Sequence, residues 1–176
     1  MAPPTAFSTC DLCDAHEGDS SGALRVLSPL FRPLGAPAAF CGPIATVSCH
    51  EDNSKVREAV HSPGWIEGAG GLRIAQVLVV AGGGSLSRAL VGGNLALAAA
   101  KNGWAGIVVD GAVRDLGELA VCGIPLRALA LMPLRSAKRD QGLRDVPVQV
   151  QGVWVRPGEW LYADDDGIVI SAARLA

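Results

Sequence analysis

Three apolar rhythms follow one another along the chain. Between residues 8 and 32, Leu12, Leu24, Leu27 and Leu30 behind a Ser8-Thr9 cap predict an N-terminal helical section. Pro33, Gly35 and Pro37 then break the chain. In the second rhythm short apolar runs alternate with helical stretches. Residues 44–49 (Ile-Ala-Thr-Val-Ser-Cys) are rich in β-branched side chains and predict a strand. Residues 51–61, with Val56 and Val60 one turn apart, predict a helix. Residues 76–81, 106–110 and 126–131 predict further strands. Residues 89–102 predict a helix that is apolar nearly all round and therefore buried, and residues 115–122 predict another. Gly103 and Gly123 mark the ends of those two helices. Residues 62–73 (SPGWIEGAGGLR) read as a loop. The third rhythm, residues 146–150, 153–155, 160–163 and 168–171, is that of an antiparallel meander.

Strand–helix alternation in the middle of a chain is the pattern of a parallel sheet with crossover helices. The expected architecture is a single compact α/β domain over residues 1–176, closed by a C-terminal antiparallel β meander. Composition agrees: 49% of the 176 residues are apolar and 18% charged, enough to build a core without a disulfide or structural metal. The 22 glycines fall in clusters and read as turns and close backbone approaches, not as linker.

Charge narrows the function classes. The net charge of -2 gives no basic face for nucleic-acid binding. The densest basic stretch, Arg135, Lys138, Arg139 and Arg144, is interrupted by Asp140 and Asp145 and reads as a solvated loop. Apolar runs are of strand length, so no membrane span is expected, and the start carries no signal-peptide pattern. Five cysteines at irregular spacing fit reduced thiols in the cytoplasm. Cys10 and Cys13 form a lone CxxC, which is read as a helix turn with zinc or redox chemistry as the alternative.

Two strand ends could carry chemistry, because ligands of open parallel sheets gather outside the carboxyl ends of the strands. At one stand Gly82, Gly83 and Gly84, whose amides could approach an anion; a ligand-free turn is the alternative reading. Neither a phosphate loop nor GxGxxG spacing is present. At the other stand Arg114 and Asp115. A guanidinium can hold a carboxylate through paired hydrogen bonds, and an Asp is a hard oxygen ligand for magnesium or manganese. Together they suit charge developing on an enolate oxygen. Alternatively, Asp115 caps the next helix and Arg114 pairs with it.

Stretches 40–53, 79–85, 88–96, 102–115 and 162–168 resemble the family that holds both regulators of ribonuclease E activity and 4-hydroxy-4-methyl-2-oxoglutarate aldolases. The resemblance covers nearly the whole chain, with residues 62–73 as the main extra. It implies a swivelling β/β/α-type layered fold and a homotrimer, in some members stacked as a hexamer. For the aldolase branch it implies cleavage of a pyruvyl-containing 2-oxo acid, or oxaloacetate decarboxylation, with Mg2+ or Mn2+. Arg114 would then bind the pyruvyl group, Asp115 would ligate the metal, and the backbone of Gly92, Gly93, Asn94 and Leu95 would hold the substrate carboxylate. The aldolase signature has an Asp where this chain has Gly93. Asp110, Glu118 or a neighbouring subunit could supply the lost acid, whereas Asn94, if helical, should point elsewhere. The C-terminal extension of the longer aldolases, which supplies a further acid, is not recognisable. For the other branch the resemblance implies a non-catalytic protein partner of a ribonuclease E-type enzyme. A methyltransferase label also used in this family finds no support in the residues, since no acidic loop follows a glycine-rich strand turn.

His16, His50 and His61 show no ligand spacing and read as ordinary surface or helix residues. Glu51-Asp52-Asn53 reads as a helix start, residues 164–167 as a turn, and the four tryptophans as packing or subunit-interface residues.

Overall fold

The computed structural model describes residues 7–175, and helix is scarce at its N-terminal end. Only α1 (Thr9–Asp14) forms, with the Ser8 hydroxyl accepting the Asp11 N–H. The expected helix to residue 32 stops there. Gly18 and Gly22 take positive φ (83° and 73°), and Asp19 accepts the Ser21 N–H at 2.8 Å, so the chain turns twice. Its later leucines serve the short strand β1 (Leu24–Val26) and the segment leading to β2 (Arg32–Pro33).

The next unit runs β3 (Phe40–Ser48), α2 (Ser54–His61), β4 (Trp65–Glu67), β5 (Arg73–Ala75), β6 (Val77–Ala81). α2 starts three residues later than expected, because Glu51 is left-handed (φ 54°) and Asp52 Oδ1 accepts the Ser54 N–H at 2.8 Å. The expected loop at 62–73 contains most of a hairpin instead. β4 pairs antiparallel with β5, and the Arg73 guanidinium lies 4.0 Å over the Trp65 ring.

The third unit is β7 (Ala89–Val91), α3 (Gly93–Lys101), β8 (Gly106–Val113), α4 (Leu116–Val121), β9 (Leu126–Leu131). The expected helix at 89–102 begins only at Gly93. Its first residues are strand, since Ala89 and Val91 pair parallel with Ala112 and Val113 of a β8 that runs longer than expected. Nor is α3 wholly buried: Leu97 is 41% exposed. The chain closes with β10 (Leu143–Arg144), β11 (Val148–Val150), β12 (Val153–Val155), β13 (Trp160–Ala163) and β14 (Ile168–Ser171).

Ten of these strands make one curled sheet in the order β1-β14-β13-β3-β6-β8-β9-β2, with β10 on β3 and β7 on β8, while β4–β5 and β11–β12 form separate two-stranded pairs. The four in the middle, β3 to β9, are parallel; the meander side is antiparallel. β6 is buried on both faces. Leu78 and Val80 enter a core under the helices with Val56, Val60, Ile107 and Leu119. Val77 and Val79 enter a second core with Val150, Leu161 and Ile170. Helices, parallel strands and meander thus form three layers, as the α/β expectation required. No helix among the described residues is long and apolar enough to cross a membrane.

Candidate active site

β7 and β8 end side by side, with Val91 opposite Val113. The residues that follow, Gly92 and Arg114, therefore leave the sheet together, and the Arg114 N–H donates to Val91 O at 3.0 Å. Asp115 then takes a left-handed backbone (φ 64°, ψ 47°), uncommon outside glycine and a feature that clusters at functional sites. It stands at the N-cap of α4, yet its side chain makes no cap hydrogen bond; its carbonyl accepts the Glu118 and Leu119 N–H groups instead. The carboxylate folds back over the strand end. Oδ2 accepts the Gly93 N–H at 3.2 Å and lies 3.4 Å from Arg114 Nε. Both side chains are about one-third exposed, so this ion pair contributes under about 1 kcal/mol and leaves the groups available to a ligand.

Two glycines let the carboxylates approach. A Cβ at Gly92 would stand 2.6 Å from Asp115 Oδ2. A Cβ at Gly93 would coincide with the Glu118 carboxylate, with Glu118 Cβ only 2.5 Å away. The position where an Asp was expected is therefore glycine because an acid from α4 already fills that space. Of the candidate replacements, Glu118 is the one the fold brings here. One turn of α4 carries both acids, and Leu119, fully buried, holds the helix down. The signal was readable as Asp-Leu-Gly-Glu, an acid three residues after Asp115 on a helix.

The start of α3 forms the floor. Of its first three amides, Gly93 N–H binds Asp115 and Leu95 N–H binds Gly92 O at 3.1 Å. The Asn94 N–H has no protein acceptor among the described residues, as suits an anion at a helix N-terminus. Gly92, Asn94 and Leu95 share a cleft of about 380 Å³ with Arg114 and Asp115. Asn94, named for its backbone at the substrate carboxylate, lines the cleft. The far wall comes from α2 and from the segment after β9: Asn53, Arg57, His61, Arg135, Ser136 and Lys138. Part of the basic stretch read as a solvated loop therefore belongs to the cleft, as does one of the histidines read as ordinary.

Gly82, Gly83 and Gly84 lie elsewhere. The amides of Gly82 and Gly84 are both spent on Asp110 O at 3.1 Å. Around the loop stand Asp110, whose Oδ1 accepts Gln151 Nε2 at 2.7 Å, and Glu51, which accepts the Ser85 hydroxyl at 2.8 Å. Burial pushes the Asp110 carboxyl up, and hydrogen bonds from Gln151 and Gly84 offset only part of that. Two nearby acids make this loop a poor anion site.

The RraA-like family model, Aldolase/RraA, matches residues 9–170. This chain belongs to that family. An RraA-like protein of Albidiferax ferrireducens, provisionally named 4-hydroxy-4-methyl-2-oxoglutarate aldolase, is 61% identical over 97% of this chain and 98% of its own. The structure of the RNA-processing inhibitor RraA from Thermus thermophilus is 41% identical, with TM-score 0.86 over 98% of this chain and 96% of that one. A structure described as S-adenosylmethionine:2-dimethylmenaquinone methyltransferase from Geobacillus kaustophilus is 38% identical, with TM-score 0.83 over 96% and 97%. RraA-like chains of one fold thus carry three functional names, and the side chains must decide between them. In this RraA-like chain no group of three or more His, Cys, Asp or Glu gathers among the described residues, so a zinc-type cage is not offered. Asp115 lines the cleft, while Glu118 stands over Gly93 and faces the neighbouring depression with Asn94 and Leu97; such hard oxygen donors suit magnesium or manganese, which keep several waters and take the remaining ligands from substrate.

Proposed function

We propose that this chain is a divalent-metal-dependent lyase acting on a pyruvyl-containing 2-oxo acid, by aldol cleavage of the 4-hydroxy-4-methyl-2-oxoglutarate type and by oxaloacetate decarboxylation. The supporting observation is the Glu118 carboxylate in the space above Gly93, which puts a second acid at the residue whose N–H binds Asp115. Asp115 and Glu118 would hold Mg2+ or Mn2+, directly or through its water. When bound, the ion supplies Lewis-acid stabilisation of charge on the 2-oxo oxygen. Arg114 directs a fixed cation at the same 2-oxo acid, and the Asn94 amide at the α3 N-terminus takes its carboxylate. Breaking the C–C bond leaves its electron pair on the pyruvyl fragment as an enolate; in aldol cleavage the 4-hydroxyl proton passes to water as that carbon becomes a carbonyl, and in decarboxylation CO2 departs. A guanidinium fixed beforehand stabilises that charge without reorganising.

The test is oxaloacetate decarboxylation with and without magnesium or manganese. Metal-dependent turnover should fall at least about 100-fold in Asp115→Asn, because a charged ligand is lost. The melting temperature should stay within about 2 °C, since Asn tolerates the left-handed backbone. Turnover no faster than free metal ion gives, or an unaffected Asp115→Asn, would sink the proposal.

A second reading, a non-catalytic regulator of ribonuclease E-type RNA degradation, is favoured by the 41% identity to the Thermus inhibitor. It expects the protein to slow ribonuclease E cleavage, and Asp115→Asn to inhibit as well as the parent. For either reading we propose a homotrimer or a hexamer of stacked trimers. Leu97, Leu116 and Val121, all exposed on α3 and α4 beside Glu118, give a neighbouring subunit an apolar footing, and light scattering tests this. Five free thiols suit a cytoplasmic location.

A further inference from the structure

At the amino ends of the parallel strands lies a second cavity, of about 180 Å³. Ala105, on its wall, precedes β8, and Arg114 follows β8. The length of that strand, about 25 Å at the usual rise per residue, therefore separates the cavity from the cleft. The cavity is bounded by the start of β3, the β4–β5 hairpin, Trp160 of β13 and Arg174 beyond β14. Two glycines shape it by close approach. A Cβ at Gly42 would collide with Ala75 O, and one at Gly106 would collide with the Phe40 ring. Without them β5 passes close over β3, and Phe40 packs directly against the β8 backbone.

The lining joins apolar surface to positive charge. Phe40, Leu72 and Ile74 supply the first, Arg73 and Arg174 the second. The Arg73 guanidinium lies 4.0 Å over the Trp65 ring, and that of Arg174 5.2 Å over the Trp160 ring. Stacking on an indole orients a guanidinium and leaves its N–H edge to an acceptor. Arg73 makes no ion pair among the described residues. Nor does any Asp or Glu of the described residues line the cavity. Cys41 does line it, but burial pushes its thiol up and the Arg174 charge offsets only part of that. The thiol is thus neutral at pH 7 and brings no negative charge to balance the arginines.

Such a lining selects an apolar body with one negative charge. The volume is below the range of about 300–1,000 Å³ that holds drug-sized ligands, so the body is small. A flat ring also suits walls in which planar groups already stack. We propose that this cavity binds a small aromatic carboxylate, with its ring against Phe40 and Ile74 and its charge on Arg73 and Arg174. The ligand joins the β4–β5 hairpin to the end of the chain, and it binds alongside a substrate in the Arg114 cleft, not in its place. The site stands whether or not the chain is a lyase.

The experiment titrates the full-length protein with benzoate, and with benzamide as its neutral counterpart, by two-dimensional NMR of the indole N–H groups. Benzoate should bind with a Kd of about 0.1–1 mM. Benzamide should bind at least about 10-fold more weakly, the worth of a charge-assisted hydrogen bond. The Trp160 signal should shift, while that of Trp154, which does not line the cavity, should stay. Arg73→Met/Arg174→Met keeps the apolar stems, and both residues are exposed, so its melting temperature should match the parent's. In that variant benzoate should bind as weakly as benzamide, with benzamide unchanged. An unmoved Trp160 signal, equal binding of the two compounds, or a variant that keeps the preference overturns the site. Binding lost in Arg114→Met and kept in the double variant would place benzoate in the cleft and overturn it too.

Discussion

At the scale of single residues, Gly93 and Glu118 are a pair. Each is explained by the other, because a side chain at 93 and the carboxylate at 118 claim the same volume. Gly93→Asp alone should displace Glu118, overpack the helix pair and destabilise the fold by about 1–3 kcal/mol, with loss of turnover. Gly93→Asp combined with Glu118→Gly should recover most of both, seen as a melting temperature near the parent's and renewed metal-dependent decarboxylation. If the double variant is no better than the single one, the two acids are not interchangeable. Arg114 and Asp115 were legible in the sequence as neighbours at a strand end, where the structure places them as an ion pair. Glu118 was named only among several candidates, because its i+3 spacing from Asp115 is readable while its approach to Gly93 on the neighbouring helix is not. Arg57, His61 and Lys138 were missed for a related reason. They meet only when Asp52, read as a helix-start acid, also takes the Arg139 amide.

Among elements, the parallel core was the most legible part. β6 and β9 lie within a residue of the expected strands, because continuous apolar runs buried on both faces leave little ambiguity. Boundaries failed where glycine or a left-handed residue ended a pattern that hydrophobicity alone would continue, as at Gly92 before α3 and at Gly18 and Gly22 after α1. What holds the short α1 lies far along the chain. Asp164 accepts the Thr9 hydroxyl at 2.6 Å and its N–H at 2.7 Å. Burial opposes ionisation of Asp164, but these bonds and the Asp166 and Gly167 amides outweigh it and hold its pKa below the ordinary value. The stability this gives is present above the unfolded carboxyl pKa, near about 3.9, and is lost as pH falls through the lowered folded one. Thr9→Val should therefore cost about 1–2 kcal/mol at pH 7. In denaturant melts the gap to the parent should narrow below about pH 3. A gap independent of pH would mean that Thr9 acts through packing.

For the whole molecule, the three-layer arrangement decides where a ligand can go. The carboxyl ends of β7 and β8 open on the side where α2, α3 and α4 begin or pass, and the meander closes the other side. β3 joins the layers. Its first half, Phe40 to Pro43, pairs antiparallel with β13, and its second half, Ile44 to Ser48, pairs parallel with β6. Nearly every pairing in the sheet joins distant parts of the chain, which places folding in the slow range of milliseconds to seconds. Since one strand belongs to both layers, the two are expected to form cooperatively. Refolding followed at Trp104, under the helices, and at Trp160, on β13, should give one common rate. A lesion in the middle of β3, such as Thr46→Gly, should slow both signals together. The chain then has a single point of kinetic control, and a ribosome must finish the last strand before the parallel sheet gains its protection.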